Sequence, residues 1–435
     1  MNDMSAAPVL QVGLIGAGTV GGEVARQLLA RPDELCRRAG AQLTLTRVAV
    51  REAGRPRPDV PGELLTADPA AVLEDPGIDV VVELAGGEEP ARTYLERAIR
   101  GGKHVVTANK VVMARHGPQL LELANEAGVE VYFEAAVGGG IPLISTFKVD
   151  LTANRLEKVT AIINGTTNYM LTRMAAEGLD FPGALRAAQE AGYAEADPTE
   201  DVEGLDAASK LAIMGSIAFG VRLHPRDVYC EGIGGVEPVD FRYARELGYA
   251  IKLIAQTERT PDGIEARVHP CMVPLTHSLA QVDGATNAVF IEGDLVGRVL
   301  LEGQGAGARP TASAVIGDLI DLARSLPRSV EAGRAHSPFV FADQPVVPMD
   351  GVTTRAYFRC TVDDRPGVLA RILTVFGDEQ VSISSAIQKE AFEGEASAEF
   401  VVTTHPAADA SLQRTRRRIA ELDPVRAVST FLRVL

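Results

Sequence analysis

Two lysines and a crowd of acids are the residues most able to do chemistry together. Lys210 follows Asp206 by four positions, so on a helix both side chains leave one face. Taken alone, Asp-x-x-x-Lys is an ordinary surface ion pair. The residues upstream change that reading. Gly192-Tyr193-Ala194-Glu195-Ala196-Asp197-Pro198-Thr199-Glu200-Asp201 packs acids into one loop, and Gly192 and Gly204 flank it. Such a loop beside a helix N-terminus suits a substrate that carries an ammonium group. A lysine facing a carboxylate in a cleft can serve as proton donor or acceptor. Hydride transfer from an alcohol needs one such base, and the reverse reaction needs the same group as acid. Lys110 closes the run Thr107-Ala108-Asn109-Lys110, directly after an apolar stretch. If that stretch is a strand, Lys110 lies at the carboxyl edge of a sheet, where ligands bind.

The redox partner is indicated near the start of the chain. Gly16-Ala17-Gly18-Thr19-Val20-Gly21 lies between a strand-like run and a helix-like run. The first glycine makes the turn, the second admits a pyrophosphate, and the third lets helix and strand pack closely. The free N–H groups of the helix end face the phosphates. Gly16, Gly18, Thr19, Val20 and Gly21 are therefore expected to hold a nicotinamide dinucleotide. At the end of the second strand stand Arg51, Glu52, Arg55 and Arg57. A guanidinium at Arg51 suits a 2′-phosphate, which favours NADP; Glu52 keeps NAD open.

The elements that must position these groups follow from periodicity. Strands are expected at Val9–Ile15, Leu43–Val50, Asp79–Glu83, His104–Thr107 and Val129–Glu134. Helices are expected at Val20–Ala30 (closed by Arg31-Pro32), Glu89–Arg100 and Gly117–Ala127. The alternation predicts a doubly wound parallel sheet of Rossmann type, an α/β fold, over residues 1–140. A mixed α+β block follows at 141–306, with strands at Leu156–Ile163, Glu265–Val273 and Asn287–Glu292. Its helices are expected at Asn168–Glu177, Phe181–Gly192 and Val202–Phe219. A helix at Thr311–Leu326 returns residues 307–326 to the first domain. The proline-bearing stretch 327–350 reads as a linker. Residues 351–435 read as βαββαβ: Ala356–Val362, Gly367–Phe376, Ile383–Gln388, Ala396–Thr403, Ala410–Leu422 and Val425–Leu435.

Bulk properties narrow the setting. The chain has 435 residues and a formal charge of -15. Residues 351–435 hold 11 basic and 11 acidic side chains, so the whole excess lies in residues 1–350. That balance argues against a nucleic-acid partner. Four cysteines, Cys36, Cys230, Cys271 and Cys360, form no C-x-x-C pair, which fits reduced thiols. The longest apolar run, Leu211–Val221, is too short for a membrane span. No signal peptide is evident before the first strand, and a cytoplasmic location is expected.

The run Ala188-x-x-x-Gly192-Tyr193-Ala194-x-x-Asp197-Pro198-x-x-Asp201-Val202-x-Gly204-x-Asp206-x-x-x-Lys210 closely resembles the homoserine dehydrogenase signature. Four further stretches are similar to the same family: Val81–Gly87, Gly102–Lys110, Glu134–Pro142 and Ile163–Tyr169. The resemblance implies roles. Lys210 would donate and accept the proton, and Lys110 would assist near the nicotinamide. Asp206 and Glu195 would hold the amino group of L-homoserine or L-aspartate 4-semialdehyde, with Asp201, Tyr193 and Thr166 beside them. Gly192 and Gly305 would touch the cofactor. The family also carries a monovalent cation, usually Na+; its ligands would be Glu134 and the carbonyls of Val137, Gly139 and Ile141. The residues alone read there as a glycine-rich connection.

Asp363-Asp364-Arg365-Pro366-Gly367-Val368-Leu369-Ala370, followed by Val381-Ser382-Ile383-Ser384, resembles an ACT domain. Such modules pair through their sheets and bind amino acids, so threonine is the expected effector. The alternative is a pairing module without a ligand, and Gln380 stands where many sensing members carry Asn. A homodimer or homotetramer is expected, built on the sheet-forming runs of the middle block. Two rivals fit less well. An enzyme forming a thioester needs a cysteine near a histidine, and His269-x-Cys271 lies outside the first sheet. A sensor with a vestigial dinucleotide fold would be expected to lose Lys210, Asp206 or Glu195.

Overall fold

The computed structural model describes residues 7–332, 340–389 and 397–435. Residues 333–339 of the expected linker, with Pro338, lie outside them, as does Ala396 of an expected strand. The chain divides into two compact units: Met1–Leu156 with Ser209–Pro225 and Gly293–Asp343, and Glu157–Ala208 with Arg226–Glu292 and Gln344–Leu435.

The first unit holds strands β1 (Val9–Ile15), β2 (Gln42–Ala49), β3 (Leu65–Thr66), β4 (Val80–Glu83), β5 (His104–Thr107) and β6 (Val131–Tyr132). They pair in parallel in the order β3-β2-β1-β4-β5-β6, the Rossmann order. Helices cover such a sheet on both faces, so its strands are apolar throughout. Val12, Leu14, Val80, Val82 and Val106 are buried in one cluster. Leu319 and Leu322 of the helix Ala308–Ala332 join that cluster, although they lie about 190 residues beyond the last strand of the sheet in sequence.

Four local expectations need correction. Arg31-Pro32 does not simply end a helix. Pro32 opens another, Pro32–Ala39, because proline is well suited to a first helical turn. The helix expected from Gly117 begins at Lys110 and carries Pro118 inside it. Its start is fixed by Asn109, whose side chain accepts from Val112 N at 3.1 Å. The fifth expected strand is shorter, Val131–Tyr132, and Glu134 lies in the 3₁₀ turn Glu134–Ala136. The C-terminal helix of the unit runs to Ala332, so the first residues of the expected linker are helical.

The other strands are β7 (Leu156–Ile162), β8 (Tyr229–Cys230), β9 (Tyr249–Thr260), β10 (Gly263–Pro274), β11 (Thr286–Gly293), β12 (Gly297–Gln304, in the first unit), β13 (Thr353–Asp363), β14 (Ile383–Lys389), β15 (Ser397–Thr404), β16 (Ala407–Ala408) and β17 (Val425–Val434). In the second unit they run β11-β7-β9-β10-β17-β13-β15-β14. With helices Val368–Asp378 and Asp409–Ala420, strands β13, β14, β15 and β17 form the expected βαββαβ module. Its core gathers Phe358, Ile372, Phe376, Phe400, Leu412 and Phe431. Phe358 meets Phe376 edge-on at 5.2 Å.

The module is not a separate body. Strand β17 pairs in parallel with β10, Cys271 opposite Arg433 and Met272 opposite Val434, so one sheet runs through both parts. Two buried arginines lock the seam. Arg359 donates to Asp240 Oδ1 at 2.7 Å, Glu237 Oε2 at 2.7 Å and Thr430 Oγ1 at 2.9 Å. Arg433 donates to Asp409 Oδ1 at 2.7 Å and Glu231 Oε2 at 2.8 Å. Removing one member of such a buried set strands a charge, at a cost of roughly 3–5 kcal/mol.

Candidate active site

In the first unit the three glycines of the turn do three different jobs. Gly16 has φ +95°, and a Cβ on it would stand 2.6 Å from the Leu84 carbonyl oxygen. On Gly21 a Cβ would stand 2.0 Å from the Gly16 carbonyl oxygen, so the helix meets the turn there without side-chain space. A Cβ on Gly18 would meet nothing of the chain within 4 Å. The helix Thr19–Ala30 begins at Gly18 and has no side-chain cap. Its first N–H groups therefore face open space suited to a phosphate. These residues fit a dinucleotide. Arg51 is exposed just after β2. Arg57 is used within its own loop, donating to the carbonyls of Glu52 at 2.9 Å and Arg55 at 3.1 Å.

Lys110 is positioned by a network that sequence reasoning missed. Glu83, fully buried at the end of β4, accepts from Ala85 N at 2.7 Å, Gly86 N at 3.3 Å and Thr107 Oγ1 at 2.8 Å. Burial pushes its carboxyl above the usual range, and those hydrogen bonds oppose the shift. Thr107 Oγ1 in turn accepts from Asn109 N at 3.0 Å, and Asn109 Nδ2 donates to Gly87 O at 2.7 Å. The carboxyl edges of β4 and β5 are thus tied together, and Lys110 opens the helix directly beyond. The signal was present in Thr-x-Asn before a helix, which is capping chemistry. Asn109→Ala is expected to cost about 1 kcal/mol of stability and to lower turnover; thermal melts and rates check both.

In the second unit Asn164 is the organising residue, also unassigned from sequence. It caps the helix Gly165–Glu177, accepting from Thr167 N at 2.8 Å. Its amide donates to Asp201 Oδ1 at 2.6 Å and to Asp206 Oδ2 at 2.8 Å. Two carboxylates are thereby brought together, and Asp206 is only 3% exposed. Thr166 Oγ1 donates to the Tyr193 carbonyl at 2.7 Å, and the rings of Tyr169 and Tyr193 lie 4.8 Å apart. Tyr193 is half-exposed, while Glu195 and Gly192 are exposed. No hydrogen bond among the described residues joins the Glu195 carboxylate to this cluster. Helix Leu205–Phe219 carries both Asp206 and Lys210, one turn apart.

The residues expected to hold a cation lie within the first unit. Both Glu134 oxygens are engaged: Leu143 N donates at 2.5 Å and Ile144 N at 2.8 Å to one, and Ser145 N at 2.7 Å to the other. The carboxylate therefore caps the short helix after Leu143. The carbonyls of Val137, Gly139 and Ile141 accept no hydrogen bond among the described residues. Three such oxygens, within seven residues of one carboxylate in sequence, are of the hard-donor type that a monovalent cation takes. Gly305 stacks its carbonyl where a Cβ of Gly139 would be, 2.6 Å away, so that contact joins two loops.

The thioester rival loses its nucleophile. Cys271 Sγ lies 3.1 Å from His269 Nδ1, but both are buried, and burial pushes the thiol up to about 12. In the C-terminal module Gly367, at φ +89°, opens the helix Val368–Asp378 with no side-chain cap. Gln380 has φ 59°, a left-handed conformation that asparagine takes more readily. No helix among the described residues is long and apolar enough to cross a membrane.

A parallel sheet in the 3-2-1-4-5-6 order, a bare glycine turn at its first strand and a lysine at its carboxyl edge define a dinucleotide-dependent oxidoreductase. The comparisons narrow this. Residues 16–134 match the family model "Homoserine dehydrogenase, NAD binding domain", residues 142–320 match "Homoserine dehydrogenase", and residues 356–424 match "ACT domain". The homoserine dehydrogenase of Corynebacterium glutamicum is 41% identical over 97% of this chain and 95% of its own length. A crystal structure of a homoserine dehydrogenase from Thiobacillus denitrificans matches with TM-score 0.92 at 44% identity, covering 98% of each chain. A hyperthermophilic archaeal homoserine dehydrogenase mutant, solved in complex with NADPH, matches with TM-score 0.62 at 26% identity over 72% of this chain and 97% of that chain. The chain belongs to the homoserine dehydrogenase family, with a C-terminal ACT domain.

Proposed function

We propose that this chain interconverts L-homoserine and L-aspartate 4-semialdehyde with NADP as its preferred dinucleotide, under control by threonine. The observation that carries the catalytic assignment is the Asp201–Asn164–Asp206 cluster, one helical turn before Lys210. When bound, the nicotinamide supplies or takes the hydride. The chain's own residues hold the substrate and move the proton. Asp206 and Glu195 hold the substrate ammonium, with Asp201, Tyr193 and Thr166 shaping the same pocket wall. Lys210 takes the hydroxyl proton during oxidation and returns it to the carbonyl oxygen during reduction, and Lys110 assists. Gly16, Gly18, Thr19, Val20, Gly21, Gly192 and Gly305 hold the dinucleotide, and Arg51 meets its 2′-phosphate. The NADPH in the archaeal relative supports that choice.

Glu134 and the carbonyls of Val137, Gly139 and Ile141 hold a sodium ion, which would fix the loop between β6 and the following helix. Threonine would bind at the uncapped helix start after Gly367, as the end product of the branch this reaction feeds, beside methionine and isoleucine. A homodimer or homotetramer is supported by the exposed edge around β12, where Leu295 is 74% exposed. The absence of a membrane-crossing helix among the described residues supports a cytoplasmic setting.

Steady-state rates with each dinucleotide, with and without threonine, test the proposal. NADPH is expected to exceed NADH by roughly tenfold in kcat/KM, the worth of one charged contact. Equal rates would overturn the Arg51 assignment. Titration calorimetry showing no threonine binding, with no inhibition at millimolar threonine, would overturn the effector assignment.

A further inference from the structure

The strap Tyr229–Ile233 lies between the C-terminal strand and the segment that carries the substrate acids, and its alternate residues face opposite ways. Tyr229 and Glu231 face Arg433. The guanidinium donates to Glu231 Oε2 at 2.8 Å and to Tyr229 Oη at 3.2 Å, and it lies over the Tyr229 ring at 5.1 Å. Tyr229 also donates to the second oxygen of Glu231. On its far side Arg433 is held by Asp409, at 2.7 and 3.2 Å. Arg433 is 1% exposed and Asp409 2% exposed, so this grip is dry.

The other residues of the strap grip the acid segment. Cys230 Sγ donates to Glu203 O at 3.1 Å, and Ile233 N donates to Val202 O at 2.9 Å. Gly232 approaches so closely that a Cβ on it would stand 2.5 Å from the Val202 carbonyl oxygen. Gly204, at φ +80°, meets the strap from the opposite side: its Cβ would lie 3.0 Å from Cys230 Sγ. Val202–Gly204 is the short link between Asp201 and Asp206, the two carboxylates that Asn164 ties together. The strap itself is anchored to the sheet by Glu231 N donating to Val268 O at 2.8 Å.

We propose that Arg433, on strand β17, is a positioning residue for the substrate acids, acting through the Tyr229–Ile233 strap. Its hydrogen bonds go to Glu231, Tyr229 and Asp409, none of which is assigned to substrate or cofactor. Because β17 belongs to the ACT module, displacement of that strand reaches Asp201 and Asp206 through five residues of strap. The inference rests on the reading of Asp201 and Asp206 as substrate residues.

Arg433→Met, Arg433→Lys, Arg359→Met and Gly232→Ala, each made in the full chain, test it beside the wild type. Arg433→Met is expected to raise the homoserine KM about tenfold while the dinucleotide KM stays within about twofold, the signature of lost substrate positioning. Arg433→Lys, which keeps one charged contact, recovers part of that loss. Gly232→Ala pushes on Val202 from the strap and gives the same split without touching the arginine. Arg359→Met breaks the other buried clamp of the same seam, which does not contact the strap, and is expected to lower the melting temperature with homoserine KM unchanged. A folded Arg433→Met with unchanged homoserine KM overturns the inference, as does an equal shift in Arg359→Met. If Arg433→Met does not fold, an unshifted homoserine KM in Gly232→Ala overturns it. A wild type that does not turn over homoserine overturns the functional reading instead, and that measurement comes first.

Discussion

Lys210→Ala is expected to lower kcat for homoserine oxidation by roughly 10²–10⁴-fold, the usual worth of a positioned acid–base group, while NADPH still binds. The residue lies on the helix Leu205–Phe219, one turn beyond Asp206, whose carboxylate is fixed by Asn164 at 2.8 Å. The dinucleotide turn is shaped by backbone contacts, Gly16 against Leu84 and Gly21 against Gly16, and its form needs no side chain from Lys210. Binding and turnover should therefore separate. Fluorescence titration of NADPH and steady-state rates on the same preparation measure the two. A variant that reduces the semialdehyde at near wild-type rate would remove Lys210 from the chemistry. Loss of NADPH binding in step with activity would point instead to a disturbed fold.

The glycines of the turn should respond to the same substitution in opposite ways. Gly21→Ala puts a methyl group 2.0 Å from a backbone oxygen, which no rotamer relieves. The helix must move off β1, and stability is expected to fall by about 3 kcal/mol. Gly18→Ala meets nothing of the chain within 4 Å, and φ at Gly18 is -79°, which alanine tolerates. The melting temperature of that variant should match the wild type. Its NADPH affinity should fall by roughly 10–100-fold, because the methyl group would stand where the pyrophosphate is expected to approach the helix N–H groups. Undiminished affinity in Gly18→Ala would show that the cradle is used differently. An unchanged melting temperature in Gly21→Ala would show that the helix and turn can part at little cost.

Much of the fold was legible because its causes are local. A strand of Val and Ile, a glycine turn and an amphipathic helix declare themselves within a few residues, and β1 and β5 fall where the pattern predicts. Errors arose where two local rules compete. Proline both ends a helix and opens one, so Arg31-Pro32 hid the helix Pro32–Ala39, and Gly117-Pro118 masked a helix already running from Lys110. The family resemblance gave roles to Asp206, Asp201 and Lys210, but none to Asn164, which joins the first two.

The sequence by itself determined the kinds of group present: a dinucleotide turn, a lysine after a strand, acids before a helical lysine, and a βαββαβ module. Only the tertiary structure decided which of them meet. Asn164 reaches Asp201 and Asp206 across 37 and 42 residues, Thr107 reaches Glu83 across 24, and Arg433 reaches Glu231 across 202. Such pairings depend on strand order and on which faces are buried. No local pattern encodes them, because a buried polar side chain takes whichever partner the packed chain brings within reach.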